Sequence, residues 1–220
     1  MGDDTYDGDV SVGGPPQVRE LGGLRLTKVA VGGMNNNAYF LRCTTTGDMV
    51  LVDAAAQPDV LLHVLGDDRL VRIVTTHQHG DHWQALPELV AATGAPVACH
   101  PDDAEPLPVE RTEALVDGDQ VAVGDARLTV IHLVGHTPGS IALLYQGDER
   151  PHLLTGDSLF PGGPGNTFGS AANFTSLMDD LEGKVFGVLP DDTWVYPGHG
   201  ADTTLGAERP HLAEWRARGW

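Results

Sequence analysis

Lysine is nearly absent from this 220-residue chain: Lys28 and Lys184 are the only two. Lys and Arg together number 13 against 31 Asp and Glu, a net charge of −18. So acidic a chain offers no basic track for a phosphate backbone, which excludes nucleic acid as the principal partner. Long apolar runs are missing too, and no stretch approaches the ~18 residues of a bilayer span. The N-terminus carries Asp3, Asp4, Asp7 and Asp9 where a secretory signal would carry a basic lead. These absences predict a cytoplasmic protein without a membrane partner. Cysteine is limited to Cys43 and Cys99. Two residues so far apart, in strand-like contexts, do not make a disulfide framework and read as buried thiols in a reducing compartment.

Glycine (28) and proline (15) are abundant, which fits many short strands joined by tight turns. The length suits one compact domain, and no linker or repeat divides it. The reading is a disordered acidic tail over residues 1–15 and a single domain over 16–220. Apolar alternation predicts strands over 24–31, 38–42, 49–53, 69–75 and 96–99, with helices over 58–65 and 83–93. A second half repeats the logic: strands over 120–123, 127–132, 141–145, 152–155 and 194–196, helices over 174–184 and 206–216. Pro210 falls in the first turns of the last helix. Two similar halves predict an α/β (α+β) architecture of two mixed sheets packed face to face with helices outside.

Between the strand and helix that flank position 80 lies Thr76-His77-Gln78-His79-Gly80-Asp81-His82. Imidazole nitrogens and carboxylate oxygens are the ligands that a Zn-like ion prefers. In an extended chain, residues at i and i+2 share a face, so His77, His79 and Asp81 can converge while His82 reaches a second point. Three later positions complete a set. His136 stands in Gly135-His136-Thr137-Pro138-Gly139, Asp157 in Thr155-Gly156-Asp157-Ser158, and His199 in Pro197-Gly198-His199-Gly200, each where an apolar strand ends. Each is a weak signal alone. Together the seven supply about the number of ligands that two ions with open positions need.

His77-x-His79-x-Asp81-His82 followed by His136, Asp157 and His199 resembles the metallo-β-lactamase superfamily over roughly residues 20 to 215. The resemblance implies an αββα sandwich with a dinuclear site at one edge. It also implies that His77, His79 and His136 hold the first ion, that Asp81, His82 and His199 hold the second, and that Asp157 bridges them. Zn is the expected metal, with Fe and Mn as alternatives. The flanking segments, from Thr76-His77 to Pro197-Gly198-His199-Gly200, are similar to the short glyoxalase-II-like thioesterases. That branch implies attack on a thioester or ester by a hydroxide shared between the ions, with Asp81 orienting the nucleophile. The alternatives are a mononuclear-iron persulfide dioxygenase and, further off, a lactonase or β-lactamase. Asp157 in place of Cys or Ser counts against the last.

The chain departs from glyoxalase II proper. It ends before that enzyme's C-terminal helical domain, and the loop after Phe160 reads Gly163-Pro164-Gly165-Asn166. The basic anchor for a glutathione carboxylate is therefore missing, and no Lys or Arg occurs between Arg150 and Lys184. Trp83, Asn166 and Phe168 are the candidate substrate contacts. Asp53, at the end of an apolar strand, is expected to hydrogen-bond a ligand imidazole and fix its tautomer. Asn35, Asn36 and Asn37, before a strand, read as a polar turn, with substrate contact as the alternative. The expected partner is a small thioester or ester; Trp215 and Trp220 leave a homodimer contact open.

Overall fold

The computed structural model describes residues 6–219. The first half builds a seven-stranded sheet in spatial order β1 (Gln17–Glu20), β2 (Leu24–Val31), β3 (Asn36–Cys43), β4 (Met49–Val52), β5 (Leu70–Val74), β6 (Val97–Cys99) and β7 (Glu113–Ala114). Strands β1 to β4 are antiparallel neighbours, whereas β4 to β7 run parallel. Parallel neighbours need crossovers: α1 (Pro58–Leu65) joins β4 to β5, α2 (Leu86–Thr93) joins β5 to β6, and a segment with the 3-10 turn Pro101–Asp103 joins β6 to β7. The second half contributes β8 (Gln120–Val123), β9 (Ala126–His132), β10 (Ile141–Gln146) and β11 (Pro151–Gly156), then a small ribbon of β12 (Leu159–Phe160) and β13 (Gly163–Pro164). The helix α3 (Ala171–Asp180) leads to β14 (Trp194–Pro197) and β15 (Thr203–Thr204), and α4 (Leu205–Glu208) and α5 (Leu212–Arg218) close the described chain. Its six-stranded sheet is ordered β15-β14-β11-β10-β9-β8.

Strand periodicity explains the layers. Even-numbered positions of β2 and β4 (Leu24, Leu26, Val50, Val52) and odd-numbered ones of β3 and β10 (Tyr39, Leu41, Ile141, Leu143) fill the space between the sheets. The alternate positions Val29, Phe40, Leu51 and Ile73 pack outward onto Leu61 and Leu65 of α1 and Leu86 and Leu89 of α2. On the far side, Ala142, Leu144 and Leu153 meet Phe174, Leu177 and Trp215. Both faces of each sheet are covered, so the central strands read as apolar runs. The result is the expected αββα sandwich. Each fully buried aliphatic side chain contributes roughly 1.5–3 kcal/mol before entropy is counted. No helix among the described residues is long and apolar enough to cross a membrane.

Three expectations are corrected. The helix expected over 83–93 begins at Leu86, because residues 80–82 form a separate 3-10 turn. The helix expected over 206–216 is interrupted at Arg209–His211, where Pro210 cannot donate to the ladder. The acidic lead is not a solvated tail over its described part; residues 1–5 lie outside the described residues. Tyr6 Oη donates to Asp202 Oδ2 at 2.7 Å, and Val10 is buried.

One fastening of this lead is Lys28. It shares the inward face of β2 with Leu24 and Leu26 and is wholly buried. Its ammonium donates to Gly8 O (2.6 Å), Gly200 O (2.7 Å) and Asp202 Oδ1 (2.6 Å). A buried charge needs its full complement of partners, and the backbone carbonyl of the acidic lead supplies one. Trp215 is likewise buried, against Phe186, and covers a core edge; Trp220 lies outside the described residues.

Removing one partner of a buried pair leaves the other uncompensated. Lys28→Met is therefore expected to lower unfolding stability by about 3 kcal/mol in chemical denaturation, and to make residues 6–10 protease-sensitive. A second expectation concerns acid. Burial, aided by the charges of Arg19 and Arg150, pushes His152 down to about 4 from its ordinary 6.5. Between those values the unfolded chain binds the proton and the folded chain does not, so stability falls as pH drops through that window. His152→Gln should flatten that limb of the stability–pH curve.

Candidate metal centre

All seven side chains of the motif set come together at one rim of the sandwich, and each is delivered by a strand end. β5 leads into residues 75–82, the β9–β10 connection carries His136, β11 ends before Asp157, and β14 ends before His199. Two strand-to-strand contacts clamp the rim shut between the sheets. Ile141 N donates to Thr76 O (3.0 Å), and Asn37 N donates to Gly198 O (2.8 Å).

Within this rim the ligand atoms fall into three overlapping groups. His77, His79 and His136 form one, Asp81, His82 and His199 another, and His77, His82 and Asp157 link them; in each the donor atoms lie within 4.8 Å of one another. Asp157 stands between the outer two. Its Oδ1 lies 3.4 Å from His82 Nε2, and its Oδ2 lies 3.3 Å from His199 Nε2 and 3.7 Å from His136 Nε2. Asp81 Oδ2 is 3.4 Å from His199 Nε2 and 3.6 Å from His82 Nε2. The buried atoms His77 Nε2, His136 Nε2 and Asp157 Oδ1 have no hydrogen-bond partner. Orphaned buried acceptors cost on the order of 1–3 kcal/mol each, and here they point at one another. That donor set, of mixed imidazole and carboxylate, fits divalent cations.

The far nitrogen of each ring is fixed by the protein. His136 Nδ1 is 2.8 Å from Asn166 O, and His199 Nδ1 is 3.0 Å from Met34 O. A carbonyl only accepts, so both rings carry the proton on Nδ1 and present Nε2 to the centre. Asp53 performs this task for two rings at once. Its Oδ2 is 2.8 Å from His82 Nδ1 and accepts from Thr76 Oγ1 at 2.8 Å, and Thr76 Oγ1 is in turn 3.0 Å from His77 Nδ1. With the Thr76 hydroxyl proton committed to Asp53, its oxygen is left to accept from His77. One carboxylate thus sets the tautomer in both outer groups. It pays for this with a left-handed backbone (φ 59°).

The electrostatics divide the histidines. Burial pushes His77 well below its usual range and also lowers His136. Against burial, Asp53 and Asp157 raise His82 to about 10, and Asp157 raises His199. Asp157 is held far below the usual carboxylate range, against its own burial, by the adjacent His199 and His82 rings. The cluster therefore holds an anionic carboxylate amid imidazoles.

Several supports were not legible as site residues. Asp103 is wholly buried and accepts from Gln78 N (3.0 Å), Thr137 Oγ1 (2.5 Å) and Gly139 N (2.8 Å), stapling the first histidine loop to the His136 turn. Asn36 and Asn37 belong to β3, not to a polar turn. Asn36 Nδ2 donates to Asp81 Oδ2 at 2.8 Å, while Asn37 Nδ2 donates to the carbonyls of Pro197 and Gly200, each at 2.9 Å. Gly198 is required by close approach, since a Cβ there would collide with Asp157 Oδ1 and His82.

The three candidate substrate contacts separate. Trp83 is partly buried; its indole donates to Gln78 O (2.8 Å) and its ring packs against the core that holds α1 and α2, backing the histidine loop. Asn166 turns its side-chain oxygen to Phe168 N (2.7 Å), and its carbonyl serves His136. Phe168 is exposed beside His79 and His136, with ring centroids at 5.5 and 5.8 Å.

The family model of the Metallo-beta-lactamase superfamily matches residues 31–207. A hydroxyacylglutathione hydrolase from Fuscovulum blasticum is 38% identical over 167 residues, covering 75% of this chain and 62% of that protein. The chain thus spans about three-fifths the length of that relative. Among solved structures, the BLEG-1 B3 metallo-beta-lactamase superposes with a TM-score of 0.77 at 26% identity, over 86% of this chain and 99% of that one. ETHE1 from Myxococcus xanthus gives 0.74 at 29% identity, over 87% and 84%.

Outer-layer partners of metal ligands typically carry 10- to 100-fold in metal affinity. Asp53→Asn keeps the shape but presents an amide where His82 and Thr76 need an acceptor. Competition with a chromophoric chelator should show Zn affinity weakened by about 10-fold or more while the circular dichroism spectrum is retained. Unchanged affinity would mean that Asp53 is only a turn residue.

Proposed function

The chain belongs to the metallo-beta-lactamase superfamily, and we propose that it is a metal-dependent hydrolase of thioesters working with two divalent cations, Zn foremost and Fe or Mn as substitutes. His77, His79 and His136 would hold one ion, Asp81, His82 and His199 the other, and Asp157 both. The observation that carries this reading is the position of Asp157, whose two carboxylate oxygens face histidines of both outer groups.

Cations bound there supply Lewis acidity toward a carbonyl oxygen and a water of lowered pKa. The chain's own residues do the positioning. Asp81 is the more exposed of the two carboxylates (19% against 12%), and Asn36 holds its Oδ2. It is thus placed to orient an attacking water while touching the second group. His79 and the Phe168 ring form the opposite wall of the approach. A thiolate leaves without prior protonation, so the reaction needs no separate general acid. Support for a thioester over other acyl substrates comes from the hydroxyacylglutathione hydrolase relative. The likeness to a B3 metallo-beta-lactamase makes a β-lactam the competing acyl substrate. The iron-dependent oxidation of a thiol persulfide is the competing reaction.

Metal content and turnover, measured on one preparation, separate these readings. The expected result is two metal equivalents per chain and hydrolysis of a lactoyl thioester that a chelator abolishes and Zn restores. One iron per chain, with oxygen uptake on a persulfide and no ester turnover, would reject the hydrolase. Turnover of a chromogenic cephalosporin but of no thioester would reject the substrate class.

A further inference from the structure

The rim around the ligand groups is framed by two turn-bearing segments whose residues carry no charge. Residues 32–37 read Gly-Gly-Met-Asn-Asn-Asn, and residues 160–170 read Phe-Pro-Gly-Gly-Pro-Gly-Asn-Thr-Phe-Gly-Ser. In a chain with 44 charged side chains (13 basic and 31 acidic), these seventeen positions beside the reactive centre themselves contribute no charge. Each segment instead raises a large apolar side chain into solvent. Met34 is 65% exposed on the β2–β3 turn, and its carbonyl is the one that accepts from His199 Nδ1. Phe168 is 67% exposed, against His79 and His136. Phe160 adds a third ring, 6.2 Å from His199. The apolar groups therefore stand on both sides of the centre, one by each outer histidine group.

The backbone shows that this display is costly. Phe168 has φ 53° and Asn35, next to Met34, φ 56°. Glycine adopts such a conformation freely, but for a bulky aromatic residue it is an outlier. A strained residue that also exposes its ring forgoes burial and torsional ease together, and such positions cluster where ligands bind. Asn166 Oδ1, accepting from Phe168 N, holds the strain in place.

We propose that Met34 and Phe168 are specificity-determining residues that clasp an apolar acyl group, so that the preferred thioesters carry an aliphatic or aromatic acyl chain of four or more carbons and not a short hydroxyacyl group. The inference rests on the thioester-hydrolase reading and narrows its substrate class. The acyl chain lies along the rim between the two side chains, and the carbonyl enters between the histidine groups. Association is driven by removing Phe168 and Met34 surface from water, with no ion pair. Each methylene buried is worth a factor of up to about four in binding, and partial burial on an open rim gives about two- to fourfold.

The experiment uses acyl thioesters of uncharged N-acetylcysteamine, from acetyl to octanoyl with lactoyl included, and a matching series of non-hydrolysable S-alkyl thioethers for binding. For the native protein, kcat/KM and thioether affinity should both rise about two- to fourfold per methylene up to six carbons, with lactoyl near the acetyl value. Phe168→Ala should flatten both slopes to below about 1.5-fold per methylene, and Met34→Ala should reduce them. Val188→Ala removes an equally exposed apolar side chain (68%) that precedes β14, at the end away from His199, and should change neither. Hydrolysis with no dependence on acyl length would overturn the clasp while leaving the hydrolase standing. So would a slope that survives both substitutions. If no thioester is hydrolysed, the hydrolase reading fails, and the thioether affinities alone decide the clasp: a slope lost in Phe168→Ala supports it, and a flat series refutes it.

Discussion

Three buried atoms without a protein partner, His77 Nε2, His136 Nε2 and Asp157 Oδ1, set the terms for the rest of this molecule. Acceptors stripped of water and left unpaired are unfavourable, and a relaxed chain would turn them to solvent or to one another's hydrogen-bond donors. They stay because the protein fixes the side chains that carry them. Asp53 and Thr76 hold the back of His77, Asn166 O that of His136, and Gly198 leaves room for Asp157 alone. The scaffold stores unmet coordination, which cations can satisfy.

Holding such a cluster at the edge of a sandwich requires that the two sheets not slide. The bonds that prevent sliding are concentrated where the ligands emerge. Asn37, Tyr39 and Lys28 of the first sheet grip the carbonyls of Pro197, Gly198 and Gly200 around His199, and Asp103 grips both Gln78 and the His136 turn. Below them the apolar interior supplies bulk stability without regard to the site. The buried Lys28–Asp202 pair joins these two roles, because its third partner is the carbonyl next to a ligand histidine and its first is the N-terminal lead.

Much of this could be read from the chain because its signals are local. The alternation over Leu24–Val31 and the Pro58–Leu65 segment, with Pro at its start and Gly66 after its end, matched the observed elements residue for residue. The seven ligand positions stood out because several rare side chains ended apolar strands in a known order, and all seven converge. What stayed hidden depends on pairings across long stretches of chain. Asp103 looks like any turn carboxylate until Thr137, 34 residues on, is folded against it. The lead looked disordered because its composition is acidic, and its fastening lies in Lys28, whose inward register on β2 was the available clue. Trp83 stood out in sequence only as aromatic bulk, which does not reveal that its indole ties back to Gln78 O.

The account stands on two coordination groups sharing one carboxylate. Anomalous scattering from crystals of the Zn-loaded protein tests this most directly. The account predicts two peaks, one among His77, His79 and His136 and one among Asp81, His82 and His199, with Asp157 between them. A single peak, or a structure in which His136, Asp157 or His199 turns away from the loop around position 80, would contradict it.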